Sequence, residues 1–307
     1  MRTFPLRGVR WLAVVLPLGL IVGCGARPVD TSAPPGPPIQ IAPQSSASLP
    51  PTPMPKNPPT EPKVERRGDK RPEAIDARLL AEAAAEVEPN TTLGAFVFDR
   101  TTGTTPLAYN ADRPFRSASL VKLLIAIDAL ENGADAEDRE RIARMLSLSD
   151  DDLASMFWVK DGGVGMVART AAELGLGGVR PPEVPGQWGE VVVTPRDVAA
   201  IYRHVLAMPP EDQALIVKSL GRATPYAADG FDQYFGIPTG LKAQWAIKQG
   251  WGNNDEAMVL HSTGLVGPDF RYVVVLLTEH PLGSGWQTSA QSVTAAAMAM
   301  TGRLPGI

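Results

Sequence analysis

Arg271-Tyr272-Val273-Val274-Val275-Leu276-Leu277-Thr278 is the stretch on which the fold turns. Val273 to Leu277 is an unbroken apolar run, as expected of a central strand covered on both faces. Two further strands, Trp245 to Lys248 and Glu256 to Ser262, precede it across Gly/Asn/Asp turns. Gln287 to Gly302, rich in Ala and Met, follows as a closing helix with Met298 and Met300 as core filler. Towards the N-terminus, Ile75, Leu79, Leu80, Ala83 and Val87 recur at helical spacing until Pro89-Asn90. Thr92 to Asp99 and Thr105 to Tyr109 then read as two strands around a Thr-Thr-Gly turn. Between the strand groups lies a helical middle. It includes an apolar stretch from Ser119 to Leu130 ended by Asn132-Gly133, a helix capped by Asp135, and one over Val198 to Leu206 prepared by Thr194-Pro195-Arg196-Asp197. Helix, two strands, helices, three strands and a final helix describe an α+β fold in which both chain ends build one antiparallel sheet of five strands.

The 307 residues are 44% hydrophobic and 20% charged, enough apolar material for a sizeable core. Fourteen of the 30 prolines fall between Gly25 and Ala74, where no apolar periodicity survives. Three parts follow: a leader over 1–23, a Pro-rich linker over 24–72 and one folded domain over 73–307. A linker in polyproline conformation reaches ~140 Å at ~3.1 Å per residue.

Arg2, Arg7 and Arg10 lead into the apolar run Trp11 to Val22, too short for a permanent membrane span and suited to a signal peptide. Ile21-Val22-Gly23-Cys24 follows it and resembles the bacterial lipobox. That resemblance implies that Cys24 is diacylated, becomes the new N-terminus and anchors the chain to the outer face of the cytoplasmic membrane. Cys24 is the only cysteine, which rules out an intramolecular disulfide, a Cys-based zinc site and a Cys nucleophile in the domain. His204, His261 and His280 have no metal-ligand spacing, and neither a metal nor another cofactor is implied. Lys and Arg total 29 against 33 Asp and Glu, and removal of the leader lowers the net charge to about −7. Without a basic stripe, nucleic acid is not an expected partner.

Ser119-Leu120-Val121-Lys122 stands where a helix begins, and a spacing of three puts both side chains on one face. The amine can there take the hydroxyl proton. Ser149-Asp150-Asp151 lies at a helix end, and Lys248-Gln249-Gly250 lies on a strand, where the glycine lets a ligand approach. S-x-x-K, S-D-x and K-x-G in this order resemble the penicillin-recognising serine acyltransferases, the class A β-lactamases and penicillin-binding proteins. The agreement runs from Asp76 to the C-terminus. The resemblance implies a β-lactamase/transpeptidase-like fold, with Ser119 as acylated nucleophile and Lys122 as its proton acceptor. It further implies that Ser149 relays a proton to the leaving nitrogen and that Lys248 holds that relay and the substrate carboxylate. Backbone N–H groups of Ser119 and Trp251 would form the oxyanion hole, with Asp151, Gln249 and Gly250 facing the substrate. The expected ligands are peptidoglycan peptides, related amides or β-lactams.

Departures from the family pattern narrow these expectations. Asp151 stands where an Asn amide usually donates to and accepts from the substrate's acyl-amide group, and an ionised carboxylate only accepts. Gln249 replaces a hydroxyl residue. The segment from Arg180 to Val193 lacks the Glu that activates the deacylating water: Glu183 is followed by Val-Pro-Gly, and Glu190 is too close to Pro195. Trp188-Gly189 is expected to pin this loop to the body. Weak or absent β-lactam turnover follows. The alternative is a wall-facing binding lipoprotein that retains the fold and has lost efficient chemistry.

Overall fold

The structure, a computed structural model, describes residues 74–307. The leader, the lipidation site at Cys24, the linker and the expected domain start at Glu73 lie outside the described residues. Helix α1 (Ala77–Val87) is capped by Asp76, whose carboxylate accepts the N–H of Arg78, and buries Leu80 and Ala84. Strands β1 (Thr92–Asp99) and β2 (Thr104–Tyr109) form a hairpin, and the two-residue β3 (Phe115–Arg116) follows. The helical middle comprises α2 (Val121–Glu131), α3 (Ala136–Ser147), α4 (Asp151–Lys160) and α5 (Val164–Glu173). After the two-residue β4 (Val192–Val193) come α6 (Pro195–Val205), α7 (Pro210–Leu220) and the four-residue α8 (Ile237–Gly240). Strands β5 (Trp245–Asn253), β6 (Met258–Val266) and β7 (Tyr272–His280) and helix α9 (Trp286–Met298) close the chain.

The main sheet is antiparallel with order β2-β1-β7-β6-β5. Its central strand is the apolar run of the last quarter, paired with β1 from Asp99↔Tyr272 to Thr92↔Glu279 and with β6 from Val266↔Tyr272 to Met258↔His280. Strand side chains alternate between faces, so one run supplies two cores. Val273, Val275 and Leu277 pack with α2 and α6, while Tyr272, Val274 and Leu276 pack with α1 and α9. All six are fully buried, each worth about 1.5–3 kcal/mol relative to exposure. Asp99, fully buried at the end of β1, accepts a two-pronged ion pair from Arg271 beside the start of β7 and so ties the two chain ends together.

Local signals in the sequence hold with small shifts. Asn132 caps α2, Asp135 caps α3, and Thr194 with Asp197 makes a reciprocal capping box on α6. Strands β5 and β6 run further than their apolar cores because each continues to find a partner, down to Asn253↔Met258 and up to Trp245↔Val266. Met300 is buried as expected, but Met298 is exposed. The buried face of α9 is Ser289, Ser292, Val293, Ala296 and Ala297, and Met298 projects elsewhere. The pairing of β3 with β4, Phe115↔Val193 and Arg116↔Val192, has no sequence signature because two residues carry no periodicity. It joins the approach to Ser119 to the loop before α6.

Candidate active site

Ser119 lies in a single 3₁₀ turn, Ala118–Leu120, which runs straight into α2. Ala118 has a left-handed backbone (φ 45°), a conformation that costs a non-glycine residue about 1 kcal/mol or more and has to be held by its surroundings. The holding contacts are the N–H of Ser117 on the carbonyl of Val191 (2.7 Å) and the flank of β5. Gly250 makes that flank possible: a Cβ there would lie 2.9 Å from the carbonyl of Ser117 and 3.3 Å from Leu120 and His261. This corrects the expectation that Gly250 makes room for substrate. The space it leaves is filled by the segment that carries Ser119.

One helical turn beyond Ser119, Lys122 is fully buried and Nζ donates to Ser119 Oγ at 2.8 Å. It also reaches the Ser149 carbonyl at 2.7 Å, Ser149 Oγ at 3.3 Å and Asp151 Oδ1 at 2.5 Å. Ser149 sits in the junction between α3 and α4 rather than on a helix, again with a left-handed backbone (φ 53°). Asp150 holds the junction by capping α4 through the N–H of Leu153 (3.1 Å) and accepting Arg144 Nε (3.0 Å). From β5, Lys248 Nζ donates to Ser149 Oγ at 2.9 Å and to the carbonyl of Gln249 at 2.8 Å. Ser119, Lys122, Ser149 and Lys248 therefore form one hydrogen-bonded chain, drawn from a 3₁₀ turn, a helix, a junction and a strand. A second K-x-G sequence, Lys160-Asp161-Gly162, lies at the end of α4 outside this chain of bonds, where Lys160 pairs with Asp138.

Burial depresses the proton affinity of both amines. Lys122 is pulled below the usual lysine range by loss of water and held back chiefly by the Asp151 carboxylate, with Asp229 and Asp150 further off. Lys248, fully enclosed, is pushed well below it by burial and then by the neighbouring Lys122. Burial thus favours the neutral form of each amine, the form that can take up a proton.

A cleft of about 310 Å³ opens on Ser119, lined by Ala118, Asp151, Trp188, Glu190, Trp251 and Gly252 among others. Asp151, at the first position of α4, presents a carboxylate that is 59% exposed. Trp251 belongs to the wall, its indole stacked on Phe231 (centroids 4.7 Å apart) and donating to Asp229 at 3.0 Å. Gln249 does not face the cleft, contrary to expectation. Its side chain is fully buried and its amide donates to the carbonyls of Gln233 (2.9 Å) and Phe235 (2.8 Å), which fixes the loop before α8. A larger cleft of about 860 Å³ between β1, α6 and the loop 175–180 contains none of these residues.

Sequence reasoning assigned Trp188 a packing role only. Its indole donates to Ser155 Oγ at 3.2 Å, and its ring centroid lies 4.9 Å from Lys122 Nζ, roofing the amine on the side of the loop. Glu190 also reaches the cleft, bound to Arg116 (2.8 Å) and within 3.4 Å of Asn254. The β3–β4 pairing brings both there, a contact without local sequence signal. Among the described residues no cluster of His, Cys, Asp and Glu is arranged to hold a metal ion.

The sheet order, the helical layer and the position of the S-x-x-K turn define a β-lactamase/transpeptidase-like protein. The chain belongs to the β-lactamase enzyme family, whose model matches residues 75–139, the span that carries Ser119 and Lys122. It is 35% identical over 222 residues, 68% of this chain and 69% of theirs, to the proteins of Mycobacterium tuberculosis and Mycobacterium bovis named "Putative lipoprotein LppW". Among solved structures, PBP-A superposes with a TM-score of 0.57 at 20% identity, covering 75% of this chain and 98% of that one. A β-lactamase from Sphaerobacter thermophilus gives 0.56 at 23% identity, covering 76% and 100%. These structures share the fold. A variant of PBP-A, with a TM-score of 0.57 at 21% identity over 74% of this chain and 97% of its own, is an acyl-enzyme complex with penicillin G.

Proposed function

We propose that this protein is an exported, lipid-anchored serine acyl-transfer enzyme that works through an acyl-Ser119 on peptidoglycan peptides or related amides, with weak turnover of β-lactams. The observation that carries the proposal is the unbroken chain of hydrogen bonds from Ser119 Oγ through Lys122 Nζ and Ser149 Oγ to Lys248 Nζ. Ser119 Oγ attacks the carbonyl carbon and its proton passes to Lys122 as a neutral amine. Burial favours that neutral form. The tetrahedral oxyanion takes hydrogen bonds from the backbone N–H groups of Ser119 and Trp251, each worth about 3 kcal/mol in comparable sites. On collapse the carbonyl–nitrogen bond breaks, and Ser149 hands a proton to the leaving nitrogen and is reprotonated from Lys122, with Lys248 keeping its hydroxyl in place.

Slow deacylation follows from the same cleft. Trp188 roofs Lys122. The nearby Glu190 carboxylate is bound to Arg116 and to Asn254, so it is a poor base for water. Anchoring through Cys24 rests on the lipobox and is in keeping with the lipoprotein name that the LppW relatives carry.

Intact-mass spectrometry of the protein incubated with benzylpenicillin tests the proposal. A long-lived adduct that disappears in Ser119→Ala is expected, with formation slowed at least about 100-fold in Lys122→Ala. Rapid adduct loss with consumption of drug would instead identify an efficient β-lactamase. No adduct with penicillin or with any activated acyl donor would return the protein to the class of non-catalytic wall-binding lipoproteins.

A further inference from the structure

We infer that the acyl donors of this site carry a free ammonium group on the carbon next to the scissile carbonyl, and that Asp151 is the residue that recognises it. The inference rests on the acyl-serine reading above and narrows it to the related amides and esters whose α-amine is unsubstituted, because an acyl-donor residue inside a peptidoglycan stem carries its α-nitrogen in a peptide bond. Asp151 Oδ1 is bonded to Lys122 Nζ, which is bonded to Ser119 Oγ, so the carboxylate lies two hydrogen bonds from the nucleophile. An α-amine is one carbon from the acyl carbon that Ser119 attacks and falls within this distance. The second oxygen, Oδ2, has no protein donor among the described residues, and the side chain is open to the cleft.

The electrostatic surroundings point the same way. Of the charged side chains lining the cleft, Arg116 and Glu190 neutralise one another at 2.8 Å, which leaves Asp151, paired through Oδ1 with the buried Lys122 and 59% exposed on its side chain. Behind it stand Lys122 and Lys248, the two amines that burial drives towards neutrality. Asp150 is tied to Arg144, and Asp229 to the indole of Trp251. A carboxylate cannot donate to the carbonyl of an N-acyl substituent and repels its oxygen, but it accepts from an ammonium. Replacement of an N-acyl group by a free amine thus exchanges a repulsion for a charge-assisted hydrogen bond.

The test uses alanyl thioesters of mercaptoacetate, in both enantiomers, each with a free α-amine or N-acetylated, and benzylpenicillin as reference. Acylation of Ser119 breaks the carbonyl–sulfur bond and releases the thiol, so rates are read from thiol appearance and from the mass of the adduct. Wild-type protein should favour the free amine at least tenfold in second-order acylation rate. Asp151→Asn should erase or invert that preference by restoring a donor for the acetyl carbonyl. In the wild type alone the preference should fade as pH rises through the pKa of the substrate amine, a readout that survives if the variant does not fold. A preference for the N-acetyl esters, or one unchanged in Asp151→Asn, overturns the inference. If penicillin acylates Ser119 and neither thioester does, the inference fails while the acyl-serine reading stands. If nothing acylates Ser119, both fail.

Discussion

Lys122 is the residue on which the proposed chemistry depends, and its properties come from what encloses it. On an exposed helix its ammonium would be a poor proton acceptor. Here complete burial opposes the charged form, and Asp151 restores part of it. Trp188 supplies the missing wall of that enclosure. Replacing Trp188 with Ala should admit water beside Lys122 and shorten the lifetime of a penicillin adduct about tenfold, a barrier change of ~1.4 kcal/mol. Adduct decay followed by intact mass decides this, and an unchanged lifetime would show that the ring does not limit deacylation. Ser119 and Lys122 were legible in the sequence because three-residue spacing at a helix start converts directly into proximity. Gln249 and Gly250 were misread for a local reason. Alternation along a strand says which residues share a face, but not whether a face meets ligand or protein.

At the scale of elements, the site is assembled where short segments touch rather than where long ones pack. The 3₁₀ turn of Ser119 is wedged between β5 and the chain leading into β4, and Gly250 sets the spacing. Gly250→Ala should lower stability by about 1–3 kcal/mol, seen as a reduced urea midpoint, because backbone must move to admit the methyl group. Acylation of Ser119 should slow in the residual folded protein. Wild-type stability together with wild-type acylation would mean that the turn yields without cost. Long elements were legible because their caps and periodicities are local: Asp135 and the Thr194–Asp197 box mark their helix starts in sequence and in structure. The β3–β4 pair and the left-handed Ser149 were not, because their conformations are imposed by distant partners.

The whole molecule buries two neutral histidines within the sheet that joins its ends, His261 on β6 and His280 at the end of β7. Burial drives His261 down from 6.5 to about 4, and does the same to His280. The His261 ring meets the Arg116 carbonyl and the N–H of Thr278, beside the strand contact that holds Ser117. The unfolded chain therefore takes up protons first as pH falls through 6.5, and stability declines from there to about pH 4, by roughly 3 kcal/mol for each histidine at 1.36 kcal/mol per unit. For Asp99, burial pushes the carboxyl up, but the hydrogen bonds from Arg271, Thr101 and Thr102 together with the Arg271 charge outweigh it and lower it, so its stabilising contribution is lost only below 3.8. Urea midpoints at pH 7 and pH 4.5 should differ markedly in wild type and less in His261→Asn. Equal midpoints in wild type would rule out this source of acid sensitivity. By itself the sequence determined the element order, the central strand, the α+β class and the closeness of Ser119 to Lys122, because hydrophobic period, caps and i, i+3 spacing act over a few residues. Only the tertiary structure decided that Ser149 and Lys248, 99 positions apart, meet on one hydroxyl, that Trp188 roofs Lys122, and that Gln249 turns inward. Such contacts depend on sheet order and loop pairing, which no local pattern encodes.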